Sequence, residues 1–261
     1  MRLVMCIWAA FWATTVVTVA NAEAPEEPPP WSQADEIFGA DAMRDARDKV
    51  LRNSGGQSFG FLLFNQFEHQ FGDDDRFSWN GQANWGGDIH KLWFKSEGHI
   101  ESGDDEAELQ ALYSRAVAPF WNLQVGLRQD FEPDNLTHFV VAANGLAPYW
   151  FEVDASLFVS DEGDVTTRIE SEYELLITQR WILQPRIELN ASGSDIASRQ
   201  VASGFTDIDV GLRLRYAFRR EFAPYLGVEW QSALGETRDM RSQAGEDTAE
   251  LKILLGLRAW F

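Results

Sequence analysis

The chain has 261 residues, with 41 Asp and Glu against 22 Lys and Arg and a formal charge of −19. That acidity disfavours nucleic acid as a partner, and a lone cysteine, Cys6, excludes an internal disulfide. Aromatics make up 13% of the residues. No long apolar run follows residue 22, so a spanning helix is not expected.

Residues 1–22 read as a secretory signal. Arg2 is a short positive start, Leu3 to Ala20 is apolar, and Ala20-Asn21-Ala22 is a small-residue cleavage motif. Cys6 lies near the start of the apolar stretch, not after it, and is not placed for lipidation. With the leader removed, the chain keeps no thiol for catalysis or metal binding. Residues 23–33, beginning "EAPEEPPPW", form a Pro- and acid-rich linker of extended geometry.

Residues 34–56 form a helical segment expected in the periplasm. Ile37, Met43, Val50 and Leu51 fall on one face, over about 34–52, with Ser32 or Asp35 as the cap. Gly39 is expected to kink it. The segment either plugs the mouth of the domain C-terminal to it or is a tethered helix without a gating role.

From Phe59 onward the period becomes two. In residues 121–131, Trp121, Leu123, Val125 and Leu127 alternate with Asn122, Gln124, Arg128 and Asp130. Residues 151–159, 165–175, 181–191, 208–216 and 249–261 repeat the pattern. Such alternation means strands with one apolar and one polar face. A soluble sandwich would bury the apolar faces between two sheets. A membrane barrel would turn them to lipid and keep the polar faces in the lumen.

Three features favour a transmembrane antiparallel up-and-down β-barrel over residues 57–261. The strands are long enough for a tilted span. Aromatics such as Phe120, Trp121, Tyr149, Trp150, Trp181 and Phe222 gather at strand ends, as interfacial girdles require. Short turns alternate with long polar loops. The short turns hold Gly86-Gly87, Ala118-Pro119, Ala147-Pro148, Thr178-Gln179 and Arg219-Arg220. Twelve strands result, at 59–71, 76–85, 89–99, 107–117, 121–131, 137–146, 149–160, 165–177, 181–191, 205–217, 222–232 and 249–261. The first two have the weakest polarity contrast, which leaves ten as the fallback count. The last strand ends on Phe261, a terminal aromatic of the kind that the outer-membrane barrel assembly machinery reads. The expected location is the outer membrane of a Gram-negative cell, with lipid around the barrel.

The blocks "GGDIHKLWFKSEG" (86–98), "AELQALYSRAVAPFWNLQVGLRQD" (107–130), "GLAPYWFEVDASLFVSDEG" (145–163), "YELLITQRWILQPRIELN" (173–190) and "DIDVGLRLRYAFRREFAPYLGVEW" (207–230) resemble the copper-resistance protein B family. "ADEIFGADAM" (34–43) resembles the family's segment before the barrel. The likeness covers roughly residues 34–261. It implies an outer-membrane barrel that binds or passes copper, supports copper tolerance and works beside periplasmic copper-handling proteins. Many members carry a Met- and His-rich N-terminal tract suited to copper. Here that place holds only "EAPEEPPPW", and beyond the leader the methionines are Met43 and Met240.

His69, His99 and His138 fall near the loop ends of strands, and Glu97 shares the polar face with His99. One reading is a rim collecting a metal cation, copper above all, through Glu97, His99, His138, His69 and the neighbouring Glu68. The other is ordinary polar rim chemistry, since strands 3 and 6 stand apart. His90, beside Asp88 at a short turn, is a further candidate exit site. The charged lumen is either a carboxylate-lined cation path or a cross-strand ion-pair lattice. The acidic loops do not complete a calcium-binding pattern. An HExxH motif is absent and no cysteine remains beyond the leader, so no enzyme is expected. The alternative to a copper protein is a non-selective small pore or structural barrel without its own metal site.

Overall fold

The computed structural model describes residues 32–72, 75–101, 105–132 and 135–261. The expected leader, most of the linker and parts of three loops lie outside the described residues. The chain divides into two units between Gly55 and Gly56.

The first unit is a bent helical pair, α1 (Asp35–Phe38) and α2 (Ala40–Ser54). The bend is at Gly39, whose φ of +86° is comfortable only without a Cβ. Neither helix has a side-chain N-cap, contrary to the expected Ser32 or Asp35 cap. The Ser32 carbonyl instead accepts the Asp35 N–H at 2.9 Å. The Asp35 carboxylate accepts two hydrogen bonds from Arg47, at 2.6 and 3.1 Å, and so ties α1 to α2.

The second unit is a closed antiparallel barrel. Its strands are β1 (Phe59–Phe71), β2 (Arg76–Gly86), β3 (His90–Ile100), β4 (Glu106–Ala118), β5 (Trp121–Glu132), β6 (Thr137–Ala147), β7 (Phe151–Ser160), β8 (Val165–Glu172), β9 (Leu175–Leu176), β10 (Trp181–Ser192), β11 (Gly204–Tyr216), β12 (Phe222–Ala233) and β13 (Ala249–Trp260). β8 and β9 both pair with β10, the other strands pair with their chain neighbours, and β13 pairs with β1 to close the ring. Phe261 completes the seam, exchanging backbone hydrogen bonds with Leu62 at 2.8 and 2.9 Å. The β1–β13 pairing removes the two open edges that an unclosed sheet would expose to lipid.

β8 and β9 are two parts of one expected strand, so the barrel has twelve staves. The break at Tyr173 and Glu174 has a local cause. Pro185 of β10 stands opposite Tyr173 and accepts its N–H at 3.1 Å. Proline has no N–H to return, so the Tyr173 carbonyl loses its ladder donor.

One other expectation needs correction, and two of the long loops carry structure of their own. β7 starts at Phe151, not residue 149, because Pro148–Trp150 form a 3-10 turn with Tyr149 and Trp150 at φ +67°. The loop over 233–248 contains α3 (Gly235–Ala244). The loop over 192–204 holds a short 3-10 turn at Ala197–Arg199.

The two faces sort as the alternation requires. Leu123, Val125 and Leu127 of β5 are exposed outward, while Gln124 and Asp130 between and beyond them are buried inward. The wide outward apolar band would be an aggregation surface in water and is the lipid face of a membrane barrel. Trp79 lies on that face, its indole donating to Ser96 at 3.2 Å. Gly98 makes room for it, since a Cβ there would come within 2.5 Å of the Trp79 ring. β1 shifts phase partway. Its register against β2 slips between Phe64 and Gln66, so Asn65 is an extra residue and the inward set becomes Gln66, Glu68 and Gln70.

Candidate functional site

The lumen is filled unevenly. On the side built from β11, β12, β13 and β1, charged groups pack tightly. Arg213 donates to both oxygens of Glu68, at 2.8 and 3.0 Å, and to Glu229 at 2.7 Å. Tyr225 donates its hydroxyl to Glu68 at 2.7 Å. Gly256 gives the Tyr225 ring its seat, since a Cβ there would meet the phenol at 2.5 Å. Arg215 and Arg258 both pair with Glu174, and Lys252 pairs with Glu250 at 3.0 Å. Breaking such a buried pair by removing one partner costs roughly 3–5 kcal/mol, because the other charge is stranded.

The opposite side is looser. Arg168 leaves β8 and reaches Glu97 on β3 at 2.9 Å and Glu108 on β4 at 3.2 Å, with Glu188 of β10 at 3.5 Å. Arg128 joins Glu108 at 2.9 Å and Asp130 at 2.6 Å, and its guanidinium lies 4.8 Å from the centre of the Phe158 ring. Arg186 bridges Glu170 at 2.8 Å and Glu188 at 2.5 Å. These cations sit where the register sets acids side by side: Asp154 opposes Glu170, Glu170 opposes Glu188, and Glu188 opposes Asp209. Like charges directly opposed are destabilising, so the interleaved guanidiniums hold this wall together. The lumen is therefore a cross-strand ion-pair lattice that leaves open space within it.

That space takes the form of two cavities. The larger, about 840 Å³, is a vestibule toward the long loops, with Glu97, His99, Glu106, Asp130 and Asp209 in its wall. Two loop elements tie down over it. Arg199, from the 3-10 turn, reaches Asp130 at 3.4 Å, and Arg241 of α3 reaches Asp207 at 3.0 Å. The smaller cavity, about 100 Å³, lies further along the lumen and extends to Glu152 and Glu172.

The expected metal ligands separate into four places. Glu97 and His99 point inward from β3 and share the vestibule, with His99 Nδ1 3.8 Å from Glu106. His138 is buried against Phe158, its Nδ1 3.9 Å from Asp130. Glu68 belongs to the packed Arg213 and Tyr225 cluster. His69 faces outward with Phe67 and Phe71, stacking edge-on with Phe71 and lying 3.9 Å from Asp75. The structure brings Glu97 and His99 together and leaves the other three apart. His90, the candidate exit residue, shares a hydrogen bond with the Tyr113 hydroxyl on the outer face. Among the described residues, no group of three or more His, Cys, Asp or Glu has the geometry to hold a metal ion. Weak ligation by two or fewer side chains, a carboxylate and an imidazole, is what the vestibule offers.

Sequence reasoning missed Phe158, Arg199 and Arg241. Phe158 lies on the inward parity of β7 beside Asp154 and Ser156, an apolar residue among polar ones, and that is a readable signal. It packs with Leu112, Val140 and Ala142 into a small apolar cluster inside the barrel. Arg199 and Arg241 act through loop folding, which leaves no periodic trace.

The comparisons with known proteins agree with this architecture. The profile of the family described as "Copper resistance protein B precursor (CopB)" matches residues 58–261. Copper resistance protein B of Escherichia coli is 44% identical over 203 residues, covering 77% of this chain and 69% of that protein. A Copper resistance protein B homolog of Pseudomonas syringae pv. tomato is 34% identical over 251 residues, covering 93% of this chain and 83% of that protein. Among solved structures, the NanC porin superposes with a TM-score of 0.51 at 11% identity, over 77% of this chain and 99% of that one, a likeness of fold alone. A closed barrel with an apolar belt, together with sequence likeness along nearly all of that barrel, places this chain at the outer membrane as a member of the copper resistance protein B family.

Proposed function

We propose that this barrel serves copper homeostasis by binding copper at the outer membrane or letting it cross. The ion is handled by weak carboxylate and imidazole ligation along the vestibule, not by tight thiolate capture. The observation that carries this reading is the pairing of Glu97 and His99 on one strand, both facing a cavity of about 840 Å³ rich in carboxylates. Imidazole and carboxylate together suit copper better than alkali ions, and an open vestibule lets the ion leave again. His138, His69 and Glu68 stand outside that pair. Insertion would depend on the barrel assembly machinery recognising the strand that ends in Phe261, and delivery on periplasmic copper-handling proteins. The chain's family and fold are those of porin-like barrels rather than enzymes.

A second reading, a non-selective pore or structural barrel without its own metal site, draws on the absence of a three-ligand group among the described residues. Calorimetry on the refolded barrel separates the two. The copper reading expects copper to bind more tightly than zinc, with loss in His99→Ala or Glu97→Ala. Equal and weak binding of both metals, unchanged in either variant, favours the second.

A further inference from the structure

The two cavities touch at only three residues in common: Glu97, Phe158 and Arg168. This contact is the neck between the vestibule and the inner chamber. The Arg168 guanidinium spans it from β8 to Glu97 and Glu108 on the facing wall, and Phe158 lies 5.7 Å away on its flank. With Glu188 at 3.5 Å, four groups anchor the bar at its free end: three carboxylates and one aromatic face.

We propose that ions cross this barrel along the β2–β8 side and that Arg168 is the constriction that sets which ions pass and how fast. The proposal rests on the reading that metal ions travel through the lumen, and it adds the route and the controlling residue. The other side of the lumen is closed by the packed Arg213, Glu68, Tyr225 and Glu229 cluster, where the side chains are almost fully buried. The inner chamber is not. Beyond the neck it carries Glu152, Asp154, Glu170 and Glu172, with Lys95 bound to Asp154 as the cation within it. Carboxylates in excess on both sides of the Arg168 guanidinium make a path that draws cations in and meets them with a positive barrier at the neck. An ion that passes must exchange places with Arg168 at Glu97 and Glu188, so the lattice doubles as the filter.

The test is single-channel recording of the full barrel in planar lipid bilayers, with potassium chloride as the probe. The wild type is expected to conduct weakly and to prefer cations. Arg168→Gln keeps much of the length but removes the charge and the fork, and is expected to raise conductance by about twofold or more with stronger cation preference. A folded Arg168→Gln barrel, shown by its heat-modifiable gel mobility, that conducts like the wild type would overturn the proposal. Should that variant not fold, Asn144→Trp decides the matter from below the neck. Asn144 lines the inner chamber and not the vestibule. Filling that chamber is expected to cut conductance by about half or more, and unchanged conductance would show that ions do not use this route. Because the current is carried by potassium, neither outcome depends on copper. A failed copper-binding experiment and a failed neck are thus separate results.

Discussion

Arg213 of β11 and Glu68 of β1 form a two-point ion pair at 2.8 and 3.0 Å, although β12 and β13 stand between their strands. Their side chains are 2% and 0% exposed. The pair ties the last third of the barrel to its first strand from inside. Arg213→Ala leaves Glu68 and Glu229 buried without that cation, and is expected to cost roughly 3–5 kcal/mol. Arg213→Met combined with Glu68→Gln and Glu229→Gln removes the stranded charges and should recover most of the loss. Urea unfolding of the three barrels in the same lipid vesicles checks this. Equal stability of wild type and Arg213→Ala would show that the cluster is not structural.

Pro185 interrupts the stave formed by β8 and β9 by withholding a donor from the Tyr173 carbonyl. Pro185→Val supplies that N–H on an outward-facing, lipid-side position where a β-branched residue fits. The expected result is a continuous strand and a gain of about 0.5–1.5 kcal/mol from one ladder bond. Hydrogen exchange should show a protected amide at residue 185. A rapidly exchanging amide there would assign the break to another cause.

How much of this was legible beforehand depends on where the physics is periodic. The twelve alternating runs and the bend at Gly39 could be read directly, because a lipid-facing wall forces period two and a bent helix needs a residue at positive φ. The phase shift at Asn65 could not. A single extra residue in β1 re-aims everything after it, which leaves His69 among Phe67 and Phe71 on the outer face while Glu68 turns inward. That same shift explains the weak polarity contrast of the first strand. Pro185 was visible in its strand, but its effect falls on Tyr173, a partner only the register identifies. Within the site, parity alone placed Glu97 and His99 on one face. The reach of Arg168 across the bore, and of Arg199 down to Asp130, depends on closure of the barrel and folding of the loops.

In the helical unit, the Arg47 hydrogen bond holds the Asp35 carboxyl below the usual aspartate range. A depressed carboxyl stabilises the fold above its unfolded value, about 3.9 for aspartate, and that contribution fades as pH falls through the lowered value. The α1–α2 bend should therefore hold from neutral pH down to about 4 and loosen only below it. Carboxyl-carbon NMR of Asp35 should show a midpoint below the ordinary value, and Arg47→Gln should move it back up. An unchanged midpoint in that variant would remove Arg47 as the cause.

Copper passage through the vestibule is tested most directly by its uptake into sealed vesicles. Vesicles carrying the barrel and a trapped copper-sensitive dye would be compared with protein-free vesicles and with vesicles carrying the Glu97→Gln, His99→Ala double variant. The expected result is faster copper uptake through the wild-type barrel than into empty vesicles, and a rate lowered several-fold in the double variant. Copper uptake no faster than in protein-free vesicles, or a double variant indistinguishable from wild type, would contradict passage of copper by way of this site.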